Sequence, residues 1–347
     1  MIRATAYLAL AVWVIAGCGP SLPPTPEATT PATSSATASS TPAELDETAS
    51  APPQISTDAP QPAPEGLIRL TDDPARDSYA AWSGDGERIA FYSNRSGVDE
   101  IYAMNADGTE VIQLTQDGDI RIKQDPAWSA DGLRMAFTAL FDVYRIFTFD
   151  VAAATTTPFN PSERTNEGFP KPLSADYRDA LNPAWSPDGQ RIALTMDDLN
   201  GDRQVYTLDL ASGETLQVTH GPSPAYFPRW SPDGGSLAFS TNAAGDFDIY
   251  IIGAQGEGLT QLTNDPSDEG IAFWSPDSQF LVFDSDRGGS YGLYVMRADG
   301  GEASPLNTGA GDAFSPGWSP DGRHIAFGSN RDGNPEIYRI DAPALQP

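Results

Sequence analysis

Cysteine is almost missing from this chain of 347 residues: Cys18 is the only one, so no disulfide can form within it. Histidine is nearly as scarce. His220 and His324 are the only two, which excludes a metal site built from several histidines of one chain. Lysine and arginine number 20 against 48 aspartates and glutamates, for a net charge of −28. A surface this acidic lacks the basic footprint that nucleic-acid phosphates require. It also repels anionic lipid headgroups, so any hold on a membrane has to come from an anchor rather than from adsorption. The pattern Gly-x-Ser-x-Gly occurs once, at Gly288-Gly289-Ser290-Tyr291-Gly292, but Leu293–Met296 after it reads as a strand where a nucleophile elbow needs a helix.

Tryptophan, by contrast, is placed with regularity. Six of the seven sit in copies of one motif, Trp-Ser-x-Asp-Gly, at Trp82, Trp128, Trp185, Trp230, Trp274 (where Ser278 replaces the Gly) and Trp318, and only Trp13 lies outside. Successive copies are 46, 57, 45, 44 and 44 residues apart. A fixed period of this length marks a repeat architecture.

Composition shifts near residue 66. Arg3 followed by the short apolar run Ala4–Ala16 has the pattern of a secretory signal over 1–17, too short for a comfortable transmembrane helix. The run ends Val14-Ile15-Ala16-Gly17-Cys18, which resembles the bacterial lipoprotein lipobox. That resemblance implies cleavage before Cys18 and lipidation of its thiol, and stable anchoring takes more than one acyl chain. Residues 18–65 are rich in Pro, Thr, Ser and Ala with almost no large apolar side chains. Such a segment cannot bury enough surface to offset its ordering entropy, so it is expected to be a disordered stalk.

The folded part is expected over 66–347. Within the first copy, Tyr79–Ser83 closes on a turn, Arg88–Tyr92 alternates as a strand, Glu100–Met104 is a third strand and Val111–Thr115 a fourth. An aromatic in the third strand keeps register across the copies: Tyr102, Phe147, Tyr206, Tyr250, Tyr294 and Tyr338. Four short antiparallel strands in about 45 residues make one propeller blade. The last copy stops after Glu336–Ile340, while Leu67-Ile68-Arg69-Leu70-Thr71, ahead of the first copy, matches the fourth-strand pattern of Gln113-Leu114-Thr115. The expected fold is therefore all-β: a six-bladed β-propeller of four-stranded antiparallel blades. Its N-terminal strand completes the last blade and leaves no open edge.

The motifs Trp-Ser-Pro-Asp-Gly, Ile-Ala-Phe, Ser-Asn-Arg and Glu-Ile-Tyr resemble the TolB-type propeller repeat. The resemblance covers roughly 67–341 and specifies fold far more than function, because propellers host unrelated activities. It implies engagement of protein partners in the manner of TolB, although TolB's N-terminal α/β domain has no counterpart here. Propeller peptidases of this repeat type carry a hydrolase domain that this chain does not show, and the lyases use a histidine-rich channel metal site that two histidines cannot build.

Alternation of strands sorts the loops. The short Ser-x-Asp-Gly turns share one face; the Ser-Asn-Arg loops, the connections between blades and the insertion 160–180 share the other. Variable loops on a rigid scaffold are where binding usually resides. Just before the innermost strands, at the channel mouth on that face, acids recur: Asp77, Asp125, Asp179, Asp268, Glu269 and Asp312, with Lys123 as the exception. Such a ring suits a basic partner segment or a calcium ion, or its members simply cap turns. Asp197, Asp198, Asn200 and Asp202 resemble part of a calcium loop but lack the distal bidentate Glu.

The sequence thus points to a monomeric, lipid-anchored propeller on the periplasmic or outer side of a bacterial membrane, touching that membrane only through its anchor. Its expected role is to bind a protein or peptide partner of the envelope, with no required cofactor. The alternative is an envelope hydrolase or lyase acting on carbohydrate or peptide through the mouth carboxylates.

Overall fold

The computed structural model describes residues 63–344, apart from 117–119, 121, 141–142 and 156–178. Cys18, the 18–62 segment and most of the 160–180 insertion lie outside the described residues. Within them are six antiparallel sheets, and the only helix is the single turn Val151–Ala154, capped by Asp150. Five sheets have four strands. The second blade shows three, Lys123–Trp128, Arg134–Leu140 and Tyr144–Asp150.

The innermost strands are Asp77–Trp82, Lys123–Trp128, Ala180–Trp185, Ala225–Trp230, Glu269–Trp274 and Ala313–Trp318. Each touches the next in that order, and the last touches the first, so the sheets form a closed ring of six blades about one axis. Closure occurs as the repeat pattern requires: Ile68–Arg69 pairs antiparallel with Glu336–Asp341, placing Ile68 opposite Arg339 and Arg69 opposite Tyr338. Two residues are a short seam, and side chains reinforce it. The buried Glu336 carboxylate accepts from Thr71 Oγ1 at 2.5 Å and from Arg69 Nη2 at 2.8 Å. Thr115 donates to Glu100 and Thr219 to Gln204 at equivalent positions, so the fastening is a repeat feature reused at the ring's joint.

The motif explains itself in the turns. Ser83 Oγ donates to Asp85 Oδ1 at 2.5 Å and accepts from Arg88 N at 3.0 Å, while Asp85 Oδ1 also accepts from Glu87 N. Ser129–Asp131, Ser186–Asp188, Ser231–Asp233, Ser275–Asp277 and Ser319–Asp321 repeat the Ser-to-Asp bond. The last turn position is left-handed, φ 74° at Gly86; the fifth copy keeps this conformation with Ser278 at φ 60°.

Tryptophan ties blade to blade. The indole N–H of Trp82 donates to Gly317 O, that of Trp128 to Ala81 O and that of Trp274 to Arg229 O, each at 3.1 Å and each on the innermost strand of the preceding blade. The third-strand aromatic does something else. It stacks on a phenylalanine of its own blade's second strand: Phe91–Tyr102, Phe137–Phe147, Phe239–Tyr250, Phe283–Tyr294 and Phe327–Tyr338 have centroids 5.8 to 6.0 Å apart. The core is a series of clusters, each drawn from two neighbouring blades, such as Trp230, Leu237 and Tyr250 with Val205 and Val218. No blade buries its faces alone.

Candidate functional site

The long-loop face is built on a motif shared by blades one, five and six. In the loop after the second strand, Arg95 and Arg287 donate through Nε to Ser93 and Ser285 and lie over Tyr102 and Tyr294. Their remaining charge meets the first residue of the innermost strand, Asp77 at 2.7 Å and Glu269 at 3.0 Å. Arg331 keeps the serine bond and the ring, but Ala313 stands where the acid would be, and it has no carboxylate partner among the described residues.

This locates the six candidate acids in three tiers. Asp77 and Glu269 are fully buried beneath the face, holding Arg95 and Arg287. Burial raises both carboxyls against the pull of those arginines, Glu269 to about 7. Asp179, Asp268 and Asp312 are partly exposed at the rim. Asp179 accepts from Tyr144 N at 2.7 Å and pairs with Arg203 at 3.1 Å; Asp268 accepts from Phe247 N; Asp312 accepts from Asn330 Nδ2 at 2.7 Å. Asp125 belongs with neither group. It lies two residues further into its strand, where it accepts from Thr138 Oγ1 and Asn182 Nδ2 at 3.1 and 2.9 Å, and burial raises it to about 6. The start of that strand holds Lys123, buried against Glu100 at 3.0 Å. The six acids are thus split by depth rather than gathered into one ring. Among the described residues no three His, Cys, Asp or Glu side chains come together in a way that could hold a metal ion. In the 197–202 loop Asp198 accepts from Asn200 N and Asp202 N, and Asp197 pairs with Arg203, so those acids are engaged in shaping the turn.

Asp125 leads to a feature that sequence reasoning missed. Every innermost strand has a bulge at its middle, where two residues oppose one, as between Ser78 and Ala81. The bulged residue is left-handed in five blades: Tyr79, Asp125, Asn182, Phe227 and Ser315; Ile271 holds this position in the fifth blade. The neighbours Asp125 and Asn182 are hydrogen-bonded to each other, and Tyr79 reaches Arg229 of blade four, directly opposite in a ring of six. Contact between opposite blades is possible only across the axis, so Tyr79 and Arg229 lie in the channel. The signal was present: these residues stand three before each tryptophan and vary freely while their flanks repeat.

Arg229 is the second omission. It sits one residue before Trp230, where the other blades carry Ala81, Ala127, Ala184, Phe273 and Gly317. Its guanidinium lies over Phe273 at 4.7 Å and over Tyr79 at 5.7 Å, and is 7% exposed. Burial, with no acid to offset it, lowers its pKa to about 9. Asp284 completes the axial set: buried, accepting from Ile271 N at 2.7 Å, and raised by burial to about 6.

Comparison with known proteins agrees with this architecture. The family model for the TolB beta propeller domain matches residues 167–312. A protein TolB homolog of Chlorobium chlorochromatii is 33% identical over 154 residues, which is 44% of this chain and 31% of the relative. The Tol-Pal system protein TolB of Desulfosudis oleivorans is 31% identical over 121 residues, 35% of this chain and 24% of the relative. The chain therefore spans about a third or less of the length of these curated relatives. Among solved structures, a putative TolB from Agrobacterium tumefaciens superposes with a TM-score of 0.61 at 19% identity, covering 80% of this chain and 97% of that one. An oligogalacturonate lyase from Vibrio parahaemolyticus gives 0.53 at 14% identity, over 80% and 94%. At those identities the likeness is one of fold.

Proposed function

We propose that this chain, a TolB-type β-propeller, is a binding module of the bacterial cell envelope that receives a protein or peptide segment on its long-loop face. The observation that carries this is the tiered construction of that face. Buried Asp77 and Glu269 fix Arg95 and Arg287, and the partly exposed Asp179, Asp268 and Asp312 are oriented at the rim by backbone or side-chain donors. A carboxylate has about four lone-pair sites, so an oriented one still accepts further donors and a basic partner segment meets acids already placed. The similarity to proteins named for the Tol-Pal system supports a protein partner, and the lipobox-like Cys18 supports a lipid tether. Among the described residues no helix is long and apolar enough to cross a membrane. The role proposed is binding rather than catalysis; Asp125, Asp284 and Glu269, whose carboxyls burial raises, are themselves buried.

Capture of envelope proteins on the immobilised chain is the test. Asp268→Lys with Asp312→Lys is expected to abolish capture, while Glu87→Lys with Glu214→Lys, the same charge change on the turn face, leaves it intact. Equal loss from both pairs would remove the assignment. Calorimetry with calcium is the companion control: binding heat that disappears in Asp179→Asn would put an ion, not a peptide, at the rim.

A further inference from the structure

We propose that the central channel binds a carboxylate, gripped by Arg229 between the rings of Tyr79 and Phe273. A guanidinium offers five N–H donors. Nη1 donates to the Pro228 carbonyl at 2.7 Å and Nη2 to the Tyr79 hydroxyl, and Nε has no hydrogen-bond partner among the described residues. No carboxylate among them pairs with it, although acids outnumber bases 48 to 20 and Arg76, Arg95, Arg203 and Arg287 each have one. A buried cation left without an anion is strongly unfavourable, and it persists where something else supplies the charge.

The surroundings select the shape of that anion. Aromatic rings lie over the guanidinium, so the anion that suits it is a planar carboxylate meeting its N–H groups in plane. At the equivalent position four other blades carry only the small residues Ala81, Ala127, Ala184 and Gly317. The main chain of Arg229 is fixed by the Trp274 indole, which donates to its carbonyl at 3.1 Å. This site is separate from the rim acids and stands whether or not the long-loop face takes a partner.

A chain-terminal carboxylate and a uronic acid present the same group, and titration of the full chain separates them. The probes are an acetylated tetra-alanine with a free C-terminus, its C-terminal amide, and glucuronate. At least one carboxylate probe is expected to bind, the amide not. Arg229→Met should weaken that binding by about tenfold or more, and Arg229→Lys by less. The melting temperature of Arg229→Met is expected to hold or rise, because an unpaired buried charge is replaced by an apolar chain of similar length. Binding of the free peptide but not its amide assigns a chain terminus; binding of glucuronate assigns a sugar acid. The proposal falls if neither acid binds at ~10 mM, if the amide binds as well as the acid, or if Arg229→Lys and Arg229→Met bind like the parent. Should Arg229→Met fail to fold, Arg229→Lys decides.

Discussion

Aspartates serve two regions of this molecule in opposite ways. In the six turns, Asp85, Asp131, Asp188, Asp233, Asp277 and Asp321 each accept a serine hydroxyl and a backbone N–H, and those bonds hold their carboxyls below the usual range. Along the axis, burial pushes Asp125 and Asp284 up to about 6. The turn sites are the same problem solved six times at the water's edge. The axial sites differ from blade to blade and leave Asn182 Oδ1 without a hydrogen-bond partner among the described residues. Repetition marks what holds the ring; variation at fixed register marks where ligand chemistry can reside.

The largest effect should come from what the two regions share, the packing between blades. Trp185→Ala is expected to cost ~3–5 kcal/mol in urea denaturation, since Trp185 packs against Ile192, Leu208 and Ala136 of the blade before it and carries the Arg134 guanidinium at 4.4 Å. Unchanged stability would refute the interface. Glu336→Ala breaks the ring's joint by removing the acceptor of Thr71, Arg69 and Asn334, and should cost ~2–3 kcal/mol. Limited proteolysis should then begin near residue 70; an uncut N-terminal strand would mean that the seam does not depend on this carboxylate.

The smaller effects separate turn from axis. Asp188→Ala forfeits two hydrogen bonds, to Ser186 and Gln190 N, for ~1–2 kcal/mol. Its depressed pKa makes this stability present above the ordinary aspartate range and lost as pH falls through the folded value. Asp284→Asn works in the opposite sense. With the folded pKa raised to about 6, the native state binds the proton more tightly than the unfolded chain, so this group's contribution declines as pH rises from about 4 to about 6. Asp284→Asn, which keeps an acceptor for Ile271 N, should therefore raise stability at pH 7 by about 2–3 kcal/mol and change little at pH 4. A melting curve that shifts equally at both pH values would contradict that reasoning.

Much of this was legible in advance. Six tryptophans at one spacing gave the blade number, and Leu67–Thr71 gave the joint, because both follow from patterns the chain repeats. The third-strand aromatics were legible in register but not in partner: Tyr102 stacks on Phe91 within its blade, a choice set by strand pairing. The acids were found by type and not by depth. Asp77 and Asp312 occupy neighbouring positions in the repeat, yet one is sealed under Arg95 and the other stands at the rim. Arg229 breaks the small or apolar pattern before each tryptophan, but its meaning comes from Tyr79, 150 residues away and opposite in the ring.

The central claim, that one side-chain type is tied down in the repeats and left uneasy on the axis, can be measured in a single sample. Carboxyl carbon titration by NMR, with Asp188 and Asp284 assigned by substitution to asparagine, should give Asp188 below the ordinary aspartate value and Asp284 near 6. Two midpoints that coincide near 4 would contradict it.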